Sequence, residues 1–471
     1  MIRFLVISFF LTGVLGFSQN KQLLYGMTEV PQSLLVNPGG IVPYDKHYGI
    51  PFFSHLHLNG GSSGVTVYDI FQTSATTDIN ARITSAIFSM KNTDFFTVTQ
   101  QLEIINFGWR NQSDYYFSAG IYQEFDMITY FPRDLAILGW EGNRDYIDYE
   151  FDLSELNSSG DFLTVFHFGA NKKLTDKLTV GARFKLYSSV FNFRSTTNQG
   201  TFVTRLSDGT VNIYDHLLQN ADVQVQTSGI APLIDNDNVN APGNVVNHAL
   251  GRAFLGGNLG VGLDVGATYE INKNWLASAS ILDFGAVFHT KDVENYRAHG
   301  SYNLTGINLI FPPLQDGEQT FPYYQNLEDE IKESVPVDTL YNSYTVMRPL
   351  KLNAGLQYHF GRSFGSQDCD CYSMGKGDFG SQSIGVQLYS IFRPKAPQYA
   401  ATLFYYRRFA EFLAGKITYT ADNYSFDNIG LMAVGDFGKF NVYMGFDNIL
   451  RYGNLAKANS LSLQLGFNLK Y

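Results

Sequence analysis

The chain has 471 residues, of which 15% are aromatic and only 16% charged, with a formal net charge of -10. A water-soluble chain of ordinary composition carries nearer about a quarter charged residues, and an acidic balance excludes a phosphate-binding nucleic-acid surface, which needs a basic one. Two cysteines, Cys369 and Cys371, exclude a disulfide framework, since a single intervening residue allows at most a strained bridge.

The first residues, "MIRFLVISFFLTGVLGFSQN", have one basic residue, an apolar run from Phe4 to Phe17 and small residues at Gly16 and Ser18. This is the pattern of a secretory signal peptide over 1–18, cleaved before Gln19, and it is too short to span a bilayer as a helix. No later apolar run reaches spanning length, so any membrane crossing must use strands.

Next comes "YGMTEVPQSLLVNPGG", which leads into the first strand-like stretch. Proline removes a donor and glycine permits close backbone approach, so Asn37, Pro38, Gly39 and Gly40 suit a bend against a wall. Beyond residue 46, two-residue periodicity recurs. In "NLGVGLDVGATYEI" the apolar Leu259, Val261, Leu263, Val265, Ala267, Tyr269 and Ile271 share one face, and Asn258, Gly260, Gly262, Asp264, Gly266, Thr268 and Glu270 share the other. One apolar and one polar face over such a length suit lipid outside and water inside. Tight polar turns at 172–177, 271–274 and 435–439 separate hairpin strands.

Fourteen spans of this kind are expected between 47 and 471, the first at 47–60. The strand-like stretch 199–214 belongs to a hairpin inside the long 195–254 connection, because a fifteenth span would put the two termini on opposite sides. Long extracellular connections are expected at 61–97, 131–159, 195–254 and 289–346. The spaced apolar residues of "NARITSAIFSMK" and "YYQNLEDEIKES" allow short helices, but plain loop packing over the barrel mouth is the preferred expectation.

The most informative irregularity of the wall pattern lies before residue 290. In "NWLASASILDFGAVF" continued alternation would place Asp283 in lipid, which is costly, so a bulge at Ile281, Leu282 and Asp283 is expected to reset the register. The chain ends on "SLSLQLGFNLKY", whose Phe467, Leu469 and Tyr471 continue one apolar face to the last residue. That strand is expected to close the barrel against the first, with the terminal ring in the interfacial girdle.

Several constellations invite a chemical reading. "GGSSG" at 60–64 matches a nucleophile elbow around Ser62, but an elbow needs a following helix and "VTVYDIF" reads as extended. His55 and His57 lie on one face of a strand without an identifiable third metal ligand. "DNDNVN" at 235–240 lacks the glycine and distal glutamate of a helix-loop-helix calcium site and reads as a solvated turn. No catalytic residue, metal or cofactor is expected.

The Asn37-Pro38-Gly39-Gly40 element resembles the Asn-Pro-Ala-Gly segment of FadL-like barrels. "SASILDFGAVF" and "VYMGFDNILRYGN" look like segments of uncharacterised Bacteroidota barrels related to the PorV and PorP/SprF families. This resemblance implies an outer-membrane barrel of fourteen antiparallel strands, with residues 19–46 as an N-terminal plug, 47–471 as the barrel and both termini in the periplasm. It implies membrane lipid and the barrel assembly machinery as partners, the latter reading the C-terminal strand. The function it implies first is a non-enzymatic component of a surface or type IX secretion-associated complex that holds a partner protein; the alternative is a FadL-like transporter of hydrophobic small molecules. For the second, the irregularity at 281–283 would be a lateral opening in the wall.

Overall fold

The structure is a computed structural model, and it describes residues 21–73, 77–208, 213–231, 242–305, 323–361 and 380–471. The signal peptide, the 235–240 stretch and the Cys369/Cys371 pair lie outside the described residues.

Among the described residues, twenty strands form one antiparallel sheet that closes on itself. In chain order they are β1 (Lys46–Gly49), β2 (Leu56–Ser62), β3 (Phe95–Arg110), β4 (Tyr116–Tyr130), β5 (Glu150–Asp152), β6 (Asn157–Lys173) and β7 (Leu178–Leu206). There follow β8 (Tyr214–Ser228), β9 (Asn258–Glu270), β10 (Trp275–His289), β11 (Asn295–Leu304), β12 (Val337–Leu340), β13 (Tyr344–Met347) and β14 (Lys351–Phe360). The set ends with β15 (Gln382–Ile391), β16 (Gln398–Ala410), β17 (Leu413–Asp422), β18 (Asn428–Phe437), β19 (Phe440–Asp447) and β20 (Ser460–Lys470). With β1–β2 and β13–β14 each counted as one interrupted strand, and β5, β8, β11 and β12 lying beyond the wall, fourteen strands build the barrel.

Alternation dictates the two faces. In β4, every second residue from Tyr116 to Tyr130 is buried. In β9, Leu259, Val261, Leu263 and Val265 are exposed while Asn258, Gly260, Gly262 and Asp264 are buried. The protein is thus inside-out: fully buried positions include Arg183, Lys185 and Lys416, whereas Leu403, Leu388, Phe284 and Phe440 are exposed. An exposed apolar band around a polar interior is stable only with hydrocarbon outside. No described helix is long and apolar enough to cross a membrane. The fold is a closed transmembrane antiparallel barrel of fourteen strands.

Short turns such as 174–177 and 438–439 gather at one end, with the chain terminus. The 361–381 connection also joins β14 to β15 at the turn end, and the other long connections gather at the opposite end. There β7 runs past the wall to Leu206, and its extension pairs with β8, which pairs in turn with β11, giving a sheet that projects beyond the barrel. The hairpin expected at 199–214 therefore has its second strand later, at 214–228. The two stretches for which loop packing is the preferred expectation are helical, Ile79–Ser89 and Tyr323–Ser334.

Two further local expectations fail. The first span is not continuous: Pro51, which has no N–H to give to the ladder, is followed by Phe52 at φ 64°, and the regular strand is interrupted between β1 and β2, although Ile50, Phe52, Phe53 and His55 still hydrogen-bond to the backbone of β3 and β20. "VYDIF" is a helix, Val67–Phe71, started by Thr66 and Asp69, which cap each other's backbone N–H groups. Ser62 nevertheless ends β2 without the positive φ of a strained elbow, and its hydroxyl has no hydrogen-bond partner.

Closure falls to the last strand. β20 pairs with β19 on one side and with β1 and β2 on the other. The Tyr471 carbonyl accepts from the N–H groups of Asp45 and Lys46, and its N–H donates to the Lys46 carbonyl. Its ring meets Tyr48 edge-on at 6.1 Å, with the Lys439 ammonium 4.4 Å from the centroid. Deleting Leu469 to Tyr471 removes the turn-end part of this seam, and the variant should be degraded or unfolded. Wild-type amounts of heat-modifiable barrel on unboiled gels would refute this.

Candidate site at the inner segment and the interrupted wall

Residues 21–45 run inside the barrel. They contain two 3-10 turns, Gln22–Leu24 and Pro31–Leu35, and otherwise irregular backbone, which leaves carbonyls that no regular element satisfies. Long polar side chains from the wall satisfy them. The Lys416 ammonium donates to the carbonyls of Gln22 (3.2 Å), Leu23 (3.2 Å) and Tyr25 (2.7 Å). Lys470 donates to Glu29 (2.8 Å), Ser280 to Val36 (2.7 Å) and Arg110 to Val42 (2.7 Å), while Arg183 donates to Leu34. Apolar residues fill the remaining contacts: Leu23, Leu24, Met27 and Val30 pack with Met432, Val434 and Tyr443 of the wall.

Asn37, Pro38, Gly39 and Gly40 form the tightest contact. The Asn37 side-chain oxygen accepts from the Gly39 N–H (3.0 Å) and its amide donates to Thr268 Oγ1 (3.3 Å). Asn171 Nδ2 donates to the carbonyls of Pro38 (2.7 Å) and Gly40 (2.8 Å). The motif lies directly on wall backbone at Gly181 of β7 and Gly266 of β9. A Cβ on Gly39 would come 2.2 Å from the Gly266 carbonyl oxygen, one on Gly181 2.0 Å from the Pro38 oxygen, and one on Gly266 2.1 Å from Asn37 Oδ1. Only glycine fits at all three positions.

One strand further on, β10 shifts register against β9. Ile281 faces Val265 and Phe284 faces Leu263, so Leu282 and Asp283 share the single partner Asp264. Asp283 adopts φ 60°, and it and Leu282 are both buried inward while Ile281 and Phe284 are exposed. The extra residue thus turns the carboxylate into the lumen.

There Asp283 joins a buried network of four cations and four anions. Lys185 reaches Asp283 (2.5 Å) and Asp264 (2.8 Å), Arg183 reaches Asp264 (3.3 Å), and Lys351 reaches Asp283 (2.7 Å) and Glu124 (3.5 Å). Arg348 bridges Glu124 (2.8 Å) and Asp161 (3.0 Å). The Asp283 N–H, freed from the ladder by the bulge, donates to Asp264 Oδ1 (2.7 Å). Removing one partner from such a network costs about 3–5 kcal/mol, because it leaves a buried charge uncompensated.

The two sides of this wall differ sharply. Inside, two cavities among the described residues are small and polar: about 70 Å³ between Lys21, His57, Glu124 and Arg393, and about 30 Å³ between Val36, Leu282, Asp283 and Lys351. Both lie well below the about 300–1,000 Å³ of small-molecule sites, so neither holds a ligand of that size in this conformation. Outside, facing lipid, a groove of about 1190 Å³ is floored by Ala170, Ala182, Ala267, Ala279, Ala354 and Ala401 and bounded by Ile281. Asn353 and Tyr389 line both this groove and the 30 Å³ cavity, so one layer of residues separates them.

His55 and His57 also point inward, fully buried, with ring centroids 6.3 Å apart. His55 Nδ1 is 2.6 Å from the Tyr443 hydroxyl, and among the described residues no group of three His, Cys, Asp or Glu is placed to hold a metal. Sequence reasoning singled out the glycine motif and Asp283 but missed Lys416, Asn171, Gly181 and the ion network. An inward lysine in a strand is a weak signal, and its partners lie hundreds of residues away.

Two outcomes follow from the docking geometry. Gly39→Ala drives a methyl into the Gly266 carbonyl and should cost about 1–3 kcal/mol, read as a lower midpoint of thermal unfolding and a higher conductance in planar bilayers. The second concerns Glu29 in the segment. Burial pushes its carboxyl up, but Arg408 (2.8 Å) and the Tyr406 hydroxyl outweigh this and hold it below its ordinary value. The fold therefore favours the charged form. Its hold on the segment is complete above the unfolded-chain value of about 4.3 and is lost as pH falls through the depressed folded value. Conductance should rise on acidification below that range, and Glu29→Gln should show the rise already at neutral pH; a flat profile in both proteins would contradict the assignment.

Compared with known proteins, no curated protein matches the chain. Among solved structures, it is similar to the toluene transporter TbuX of Ralstonia pickettii (11% identity, 94% of each chain, TM-score 0.42). It is also similar to a FadL homologue of Pseudomonas aeruginosa (9% identity, 96% of each chain, TM-score 0.42) and to the toluene transporter TodX of Pseudomonas putida (12% identity, 93% of this chain and 91% of that one, TM-score 0.38). The family of unknown function DUF5723 matches residues 38–447, a span that runs from the proline of the docking motif to the end of β19, and the chain belongs to that family.

Proposed function

We propose that this protein is a non-enzymatic outer-membrane barrel that moves a hydrophobic small molecule between the lumen and the bilayer, with residues 19–46 as its plug and the β10 bulge as the lateral gate. The observation that carries the reading is the coincidence at Ile281–Phe284: the ladder is broken where the apolar outer groove and the lumen cavities are one residue layer apart. In the closed state the gap is sealed from inside by Lys185, Lys351 and Asp264, and the plug leans on the same strand through Ser280. Opening requires Val36 of the plug to leave Ser280 and the ion pairs to part together. The turn end, where the terminal aromatic lies, is assigned to the periplasm, and Phe467, Leu469 and Tyr471 to recognition by the assembly machinery.

A second reading, a component of a surface or type IX secretion-associated complex, has one observation in its favour. The sheet projecting at the loop end exposes Ile213, Val337 and Tyr341 at 71%, 65% and 72%, which suits a protein partner. Stoichiometric protein partners after purification from native membranes would put it ahead.

Transport is tested in proteoliposomes with an uncharged aromatic fluorophore. Removing residues 21–45 should raise flux, and deleting Leu282, which removes the extra residue of β10, should lower it severalfold while the barrel stays heat-modifiable. Equal flux in wild type and both variants would end the transport reading.

A further inference from the structure

The groove poses a question that the transport reading does not answer: what fills it at rest. A concave surface facing hydrocarbon cannot stay empty, because lining atoms would lose their dispersion partners on one side. Acyl chains are the filler at hand. They bring no hydrophobic gain of their own, since they leave one hydrocarbon environment for another, so any preference for a particular lipid must come from a headgroup contact.

One cation is placed to make it. On β6, Asn171 points inward to the docking motif and Lys173 pairs with Glu270 (3.0 Å), so the intervening Lys172 lies on the lipid face. Its ammonium stands 3.9 Å from the centroid of the Tyr115 ring, and among the described residues no carboxylate pairs with it. Lys172, Tyr115 and Leu174 form the turn-end lip of the groove, directly below Ala170 and Ala182. Around them Tyr115 stacks on Phe117 (6.0 Å) and Phe117 on Phe168 (5.8 Å), an aromatic cluster at the level where headgroups begin. An apolar stem along the wall with the charge at the interface is the usual disposition of a membrane lysine.

We infer that the groove is a binding site for an anionic glycerophospholipid, with its acyl chains on the alanine floor and its phosphate against Lys172 and the Tyr115 hydroxyl. The depression exists because the wall is thin there: Gly181 and Gly266 let the inner segment press on the wall from inside, and alanine leaves room outside. The volume of about 1190 Å³ exceeds that of ordinary small-molecule sites and suits a ligand with two chains.

The test is native mass spectrometry of the full mature chain released from nanodiscs of phosphatidylglycerol or phosphatidylcholine, with heat-modifiability confirming the fold of each variant. The wild type should keep one phosphatidylglycerol with about fivefold preference over phosphatidylcholine, the preference one interfacial lysine supplies. Lys172→Gln should abolish the preference, and Ala267→Trp, which fills the floor, should reduce retention of both lipids. Unchanged preference in Lys172→Gln, or unchanged retention in Ala267→Trp, would overturn the assignment. Fluorophore flux measured on Lys172→Gln separates the two readings: flux that persists while lipid preference is lost leaves transport standing on its own evidence, and equal lipid retention in all proteins fells the lipid site alone.

Discussion

A polypeptide with irregular backbone inside a membrane barrel must find hydrogen-bond partners without a helix or sheet of its own, and much of this structure answers that constraint. The 21–45 segment offers carbonyls, and the wall offers donors on long side chains: Lys416, Lys470, Arg183, Arg110, Asn171 and Ser280. In a water-soluble protein, buried lysines would be expensive. Here the polar interior provides an acceptor array, so burial and satisfaction coincide. Lys416 illustrates the trade most clearly, with three carbonyls around one ammonium.

The docking motif adds a geometric consequence. Backbone can lie on backbone only where no Cβ intervenes, and Gly39, Gly181 and Gly266 make one such place. Because the contact is so close, the wall carries little mass between segment and lipid, and the small side chains outside deepen the depression. Inner docking and outer groove are two faces of the same thin patch of β7 and β9.

The bulge and the ion network are coupled in a similar way. An extra residue frees the Asp283 N–H and turns its carboxylate inward, and both are then absorbed by neighbours: the N–H by Asp264, the carboxylate by Lys185 and Lys351. With cations and anions balanced, the network covers the broken ladder from the lumen side. It also reaches Arg183, which holds the inner segment at Leu34, so the seal and the segment share a residue.

Strict alternation over strands such as β9, with apolar residues on one face and glycine, serine or aspartate on the other, already determined a lipid-facing barrel, because a period of two assigns each side chain to one of two solvents. The break at Asp283 was legible for the same reason, since a charge facing lipid is too costly to leave there. Two further signals were present and overlooked: Pro51, which interrupts the first strand, and the Thr66–Asp69 spacing, which starts a helix in "VYDIF". What only the tertiary structure decided is pairing at long range. Nothing local tells Lys416 that its acceptors are Gln22 to Tyr25, Gly39 that its neighbour is Gly266, or Lys172 that it borders a groove floored by alanines from five other strands. Those contacts join residues up to about four hundred positions apart, and they depend on where barrel closure brings the strands rather than on any pattern within them.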